Sequence, residues 1–553
     1  MLKVVLYITI YIPNEKEKLL MRYPDFPCFS PSGELRARVD LSRARLSDDI
    51  YAYPKSYNDG NGWPGDWPGR ALLGQILIAR AGGEAPSSLE GNLAHLGELF
   101  NERGYAGPVS DLPDEQQLSG NSWLLRALCE LYEWKREPDV LERIRAMVRG
   151  LYLPLEGKYR VYPRTKDSRL LGTGAESGQT TGEIVNGWIL SSDIGCSFIP
   201  LDGMTHAYRL TRDPALGRVI REAIEAFAES DLLAATFQTH ATLSAVRGIL
   251  RFWQDVGCAE LLDLARRVFA FYEAEGMTEN YANKNWFGRP AWTEPCAIAD
   301  SFLAAMQLYA ATGDTHYLEL AENVHFNAFS FAQRANGGFG CDCCAGERLH
   351  PSSEGSYEAS WCCTMRGGEG LARAVQYAAG VEDGGVVCLN LLFPGSYDIG
   401  GLKFDVQTRY PYEGLVSVRI REAAEDASLR VRAPFPAAQS EGFRQEGGFL
   451  YSASPLKAGA ELFFRMTLPA RLVPSLFTAG KHTVRLGNLM YALDPASLEN
   501  GADTLRAADI EGLRPVLGGS RLTDDAGHSF IPLTRSTFTS REDILRTDWQ
   551  LLF

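Results

Sequence analysis

Helix hairpins recur along this chain, and no other feature limits its fold as strongly. LYEWKREPDVLERIRAMV around Asp139, HAYRLTRDPALGRVIREAI around Asp213 and LYAATGDTHYLELAENVHF around Asp314 each carry an apolar helix, a polar turn with an Asp, and a second amphipathic helix. ILRFWQDVGCAELLDLARRVFAF is a fourth version, turning at Gly257. In each, the Asp or Gly near the turn can stop one helix or cap the next. A single hairpin leaves an apolar face open. A series of them over roughly three hundred residues, from about Gly69 to Ala379, predicts a helical toroid or solenoid. An irregular helical domain is the plainer alternative.

The texture changes after about Val381. VVCLNLLF, LKFDVQTRY, LVSVRIRE, SLRVRAPF, ELFFRMTLPARLV and HTVRLGNLMYAL are short, alternating and rich in β-formers, with Gly, Pro and Asp turns between them. They predict one or two β-sandwiches. Before Gly69 the chain is irregular, and SYNDGNGWPGDWPGR is a Gly, Pro and Trp loop leading into the first helix. Such loops on a helical scaffold often carry binding function. The expected division is residues 1–68 as an irregular or β segment, 69–380 as the helical domain and 381–553 as the β region.

At 553 residues, with 45% hydrophobic and 22% charged, the chain is long enough for more than one core. Its net charge of −14 argues against nucleic acid, whose phosphates are held by clustered Lys and Arg. The apolar run near the N-terminus, MLKVVLYITIYIPNEKEKLL, is β-branched and lacks a small-residue cleavage site. It reads as an edge strand or as an extension upstream of a start at Met21, with a weak secretion signal as the other reading. No window reaches the run of about 20 apolar residues that crossing a bilayer requires, so no membrane partner is expected. There is no GxxxxGK[ST] phosphate loop, HExxH helix or G-x-S-x-G elbow.

The chain has 11 cysteines, and five stand between Cys341 and Cys363, as CDCC and WCC. Adjacent cysteines pair badly with each other because the short backbone strains the bridge. A cluster in a large chain reads as metal-binding or catalytic rather than as a disulfide framework, and a cytoplasmic location is expected. In WTEPCAIADSFLAAMQLY, Thr293 is the expected N-cap of a helix whose first turn holds Glu294, Pro295 and Cys296. Cys362 and Cys363 likewise stand just before the helical GGEGLARAVQYAA. Helix N-termini favour the thiolate, the form that binds metals and attacks electrophiles. Glu294, Cys296, Cys362 and Cys363 together offer one carboxylate and three thiolates, enough for a tetrahedral zinc site. Cys341, Cys343 and Cys344 are rival ligands, and plain apolar burial is the alternative for any of them.

A TExCA segment opening one helix, a CC pair opening another, and helix hairpins followed by β-sandwiches resemble the β-L-arabinofuranosidase family of glycoside hydrolases, family 127. The likeness runs from about Trp63 to near the C-terminus and includes the strands RVRAPFP and VRLGNLMYALD. It departs at TMRGG after the CC pair, where many members have Pro-Pro-Asn. The resemblance implies an (α/α)6-type toroid as catalytic domain, with β-sandwich material behind it. It also implies zinc on Glu294, Cys296, Cys362 and Cys363, with Cys362 as nucleophile of a retaining hydrolase. The general acid and base is then most naturally Glu279 in GMTENYANKNWF, with Glu275 as competitor, although on its own Glu279 reads as a solvated loop carboxylate. His240 stands where the family has a His that contacts the sugar, and a cap or core role is the alternative. Trp286, with Phe287 and Trp292 in the same loop, can stack on a sugar face or simply pack. Cys341, Cys343 and Cys344 stay unassigned, as a second metal site, pocket lining or packing.

The expected partners are a glycan substrate from plant material and, for assembly, at most a second copy of the chain. The alternatives are a hydrolase of the same mechanism for another sugar, and a zinc-stabilised saccharide-binding protein without catalysis.

Overall fold

The helix hairpins close into a ring. The computed structural model describes residues 19–26, 28–58, 62–169, 180–289, 292–343, 346–351, 357–452, 455–498 and 504–553. Among them, the helices Asp66–Gly82, Glu115–Lys135, Pro200–Thr211, Thr239–Val256, Pro295–Thr312 and Cys363–Tyr377 form the inner wall. Each packs on the next, and the last returns to the first. Outside them lie Gly33–Arg45, Pro138–Met147, Pro214–Ala228, Ala259–Phe271 and Thr315–Asn323.

The two layers differ as their sequences require. Pro214–Ala228 buries Leu216, Val219, Ile220, Ala223, Ile224 and Phe227, a single stripe at helical spacing. Pro295–Thr312 is buried almost throughout, as an inner helix with neighbours on both sides must be. Two glycines let inner helices approach. A Cβ on Gly69 would stand 2.3 Å from the Leu124 nitrogen, and one on Gly248 would stand 2.6 Å from the Leu201 carbonyl. The turns behave as read: Asp213 and Asp314 accept the backbone N–H groups of Ala215 and His316, and Gly257 ends its helix with φ 72°. Asp139 falls inside the first turn of its helix, behind Pro138.

The β region is a sandwich of two six-stranded sheets followed by a third six-stranded sheet. Strands Leu402–Thr408, Leu415–Ala423 and Glu461–Met466 alternate buried and open positions, as strands with one face on a core do. Phe443 of one sheet meets Phe464 of the other edge to face at 5.8 Å. The segment before the toroid belongs partly to this sandwich: Met21–Arg22 pairs with Ala379–Glu382, and Phe29–Pro31 with Gly395–Ile399. The run before Leu19, read as an edge strand, lies outside the described residues. At the other end, Trp549–Gln550 pairs with Arg348–Pro351, which pairs with Asp342–Cys343. The chain terminus thereby braces the CDCC segment. No helix among the described residues is long and apolar enough to cross a membrane.

Candidate metal and catalytic site

Four of the inner helices, Glu115–Lys135, Pro200–Thr211, Thr239–Val256 and Pro295–Thr312, are each followed by an outer helix that carries the chain back, so that the N-termini of the inner helices share one mouth. Glu294 and Cys362 are the N-cap residues of Pro295–Thr312 and Cys363–Tyr377, and His240 is the second residue of Thr239–Val256. Thr293, expected as the cap, lies one residue outside. Its N–H donates to the Asp342 carbonyl at 2.7 Å and its hydroxyl accepts the Asp342 N–H at 3.2 Å, while Pro295 starts the helix. These two bonds to Asp342 outcompete the capping preference of Thr293.

Glu294, Cys296, Cys362 and Cys363 converge, one ligand atom from each lying within 4.8 Å of the others. The Sγ of Cys363 stands 3.7 Å from that of Cys296 and 3.3 Å from that of Cys362. Sulfurs bound to one tetrahedral zinc are about 3.8 Å apart, given Zn–S bonds of about 2.3 Å. Glu294 Oε1 lies 3.3 Å from His240 Nδ1, whereas the enclosed Oε2 has no hydrogen-bond partner among the described residues. An orphaned carboxylate oxygen beside three thiols suits a divalent cation that accepts sulfur. Without one, burial pushes the Cys296 and Cys363 thiols well above the usual range. Burial also raises the Glu294 carboxyl, but His240 and Arg70 outweigh it and hold the group below its usual range. Cys362 is the least enclosed of the four residues.

Around the cluster stands a layer that sequence reasoning missed. Arg70 points Nη1 at Cys296 Sγ from 3.4 Å and donates through Nε to Asp66 at 2.8 Å. Trp123 has the Arg70 and Arg366 guanidiniums 4.4 and 4.5 Å from its ring centre and lies stacked with His240 at 5.5 Å. Beneath the site, the toroid axis is filled by charge. Asp202, Asp300, Glu130 and Glu369 meet Arg126, Arg247, Arg251 and Arg366 in a connected network, every side chain at most 7% exposed. Helical spacing carried a signal: Asp300 is one turn below Cys296, Arg366 is one turn below Cys362, and Asp66 and Arg70 are an i,i+4 pair in the aromatic loop noted above.

The remaining sequence-derived candidates are placed as follows. His240 is held between Glu294 and Asp300, with Nε2 3.4 Å from the latter. Trp286 is buried, donates Nε1–H to Asp193 at 3.3 Å, meets Trp292 edge to face, and lies under Arg289. Glu279 is buried rather than solvated: Oε2 accepts from the Ser475 hydroxyl at 2.7 Å and Oε1 from the Leu476 N–H at 3.0 Å. Its loop is tied to the candidate ligand cluster through Asn283, whose Oδ1 accepts the Glu294 N–H at 3.0 Å. Glu275 is exposed. Cys341 is buried with its thiol against that of Cys363. The Cys343 side chain and Cys344 lie outside the described residues.

No family model and no curated protein sequence matches this chain. Solved structures do. A glycoside hydrolase superposes with a TM-score of 0.68 at 14% identity, over 97% of this chain and 98% of its own. A GH127 β-arabinofuranosidase gives 0.64 at 12% identity over 98% of each chain. A GH127 β-L-arabinofuranosidase from Geobacillus stearothermophilus T6 gives 0.62 at 12% identity, over 96% of this chain and 99% of its own. Over nearly its whole length, then, this chain shares its fold, a helical toroid with a β-sandwich region, with GH127 β-L-arabinofuranosidases.

Proposed function

We propose that the protein belongs with these enzymes and is a retaining glycoside hydrolase that releases terminal β-L-arabinofuranose, or a related sugar, from plant-derived glycans. The observation that carries this reading is the four-ligand cluster at the toroid mouth, with Cys362 as its most open member. The ligand set is proposed to hold zinc, which when bound would keep the sulfurs ionised at neutral pH. Arg70 beside Cys296 and the helix N-termini favour the same negative charge.

In the proposed reaction the Cys362 thiolate attacks the anomeric carbon. A C–S bond forms as the C–O bond to the leaving group breaks, and Glu279 gives its proton to the departing oxygen. Water, deprotonated by Glu279, then displaces the sulfur from the same carbon, and two inversions leave the configuration unchanged. Two donors on Glu279 suit the ionised, water-activating form. In the acid form it donates to Ser475 Oγ instead, since a hydroxyl reverses by rotation. His240, proposed to border the sugar, also fixes Glu294, and Trp286 is proposed as a wall of the same subsite.

The test is a panel of nitrophenyl glycosides on wild type and on Cys362→Ser. The β-L-arabinofuranoside should be turned over, and the variant should lose about a thousandfold or more. One observation favours a saccharide-binding protein with a structural metal: a complete four-ligand set resembles closed structural sites. Bound zinc with no turnover of any glycoside would select that reading.

A further inference from the structure

A cavity of about 490 Å³ opens where Gly33–Arg45 and Val324–Phe329 meet the β region, and it shares no residue with the metal cluster. His325 lies on its lining, only 3% exposed, edge-on to Phe326 and Phe393 with ring centres 5.1 and 5.0 Å away. Among the described residues its ring nitrogens have no hydrogen-bond partner. Burial, with Arg38 adding to it, pushes its pKa down to about 3, so the ring is neutral and offers one donor and one acceptor. Facing the cavity, the ring can bond to a molecule held there.

Two further groups line the cavity. Phe538 is 54% exposed, with the Arg38 guanidinium 5.4 Å from its ring centre, and Arg535, also exposed, makes no ion pair among the described residues. The other charges lining the cavity are engaged: Glu34 with Arg38 and with the Tyr412 hydroxyl, and Arg409 with Glu413. The unpaired charge on the lining is therefore a single guanidinium, and the same cavity holds an exposed aromatic ring and a neutral imidazole. The volume is within the range of small-molecule sites.

We propose that this cavity is a second, non-catalytic saccharide site that takes a sugar unit bearing a carboxylate. Phe538 stacks on the ring, Arg535 pairs with the carboxylate and His325 bonds a hydroxyl. The choice of a saccharide over another small acid rests on the function proposed above, but binding is measured without turnover.

The experiment is calorimetric titration of D-galacturonic acid and of D-galactose into the full chain carrying Cys362→Ser, with and without Arg535→Gln or Phe538→Ala. Both substituted positions are exposed, and melting curves check that the variants fold. The uronate should bind, galactose should bind about tenfold more weakly or worse, and each substitution should weaken the uronate by about tenfold or more. Absence of uronate binding, equal binding of both sugars, or indifference to both substitutions would each overturn the site. An inactive wild-type protein that binds the uronate refutes the hydrolase instead, and an active hydrolase that does not bind it refutes only this cavity.

Discussion

Asp300→Asn is the substitution whose cost the structure sets most directly. The Asp300 carboxylate accepts from Ser244 at 2.8 Å and from Arg247 and Arg366, and all of these groups are enclosed. Asparagine keeps the shape but removes the charge. Arg247 and Arg366 would then lose a charged partner inside a network that already holds Arg126 and Arg251 and, through Glu130, reaches Arg80 and Arg373. Stranding a buried charge costs about 3–5 kcal/mol. The expected result is a fall of several degrees in the first thermal transition, followed by scanning calorimetry because a chain of several units does not melt in two states. The double variant Asp300→Asn, Arg366→Met removes one charge of each sign and should melt above Asp300→Asn alone. If Asp300→Asn melts like wild type, or the double variant falls by the sum of the single losses, then charge balance does not hold the toroid axis together.

Cys296→Ala should remove bound metal: about one zinc per chain by elemental mass spectrometry in the wild type, and little in the variant. Equal zinc in both would detach Cys296 from the site. Glu279→Gln should slow glycosides with poor leaving groups by about a hundredfold or more, and activated aryl glycosides much less. Equal losses on both would argue against an acid role. Because burial holds the His325 pKa near 3 in the fold, the unfolded chain takes up this proton below about pH 6.5 while the fold does not. Stability should therefore fall by roughly 1.4 kcal/mol per pH unit as pH drops from about 6.5 toward 3, with buried His206 acting in the same sense. His325→Gln should flatten that limb in melting curves taken between those pH values, and an unchanged slope would assign the loss to other groups.

The hairpins were legible because periodicity and turn chemistry are local: Asp213, Gly257 and Asp314 do in the fold what their neighbours in sequence require. The cluster was legible because residue type and helix position restrict it, and Glu294, Cys296, Cys362 and Cys363 do meet, where they could hold a metal ion. Thr293 was misread because its partner, Asp342, is 49 residues away. Glu279 read as solvated because the groups that bury it, Ser475 and Leu476, belong to the β region.

The sequence by itself determined a helical part followed by a β part, and a carboxylate with three thiols at helix starts. Those properties follow from spacing within a few turns of chain. Tertiary structure alone decided which helices stand side by side as the ring closes, which puts the inner N-termini around one mouth and a network of buried charges on the axis. A charge is tolerated in such a place only beside its opposite, and that partner is supplied by a different helix in nearly every case. No local pattern records which helices will be neighbours, so the layer around the Glu294, Cys296, Cys362 and Cys363 cluster became visible only when the toroid closed.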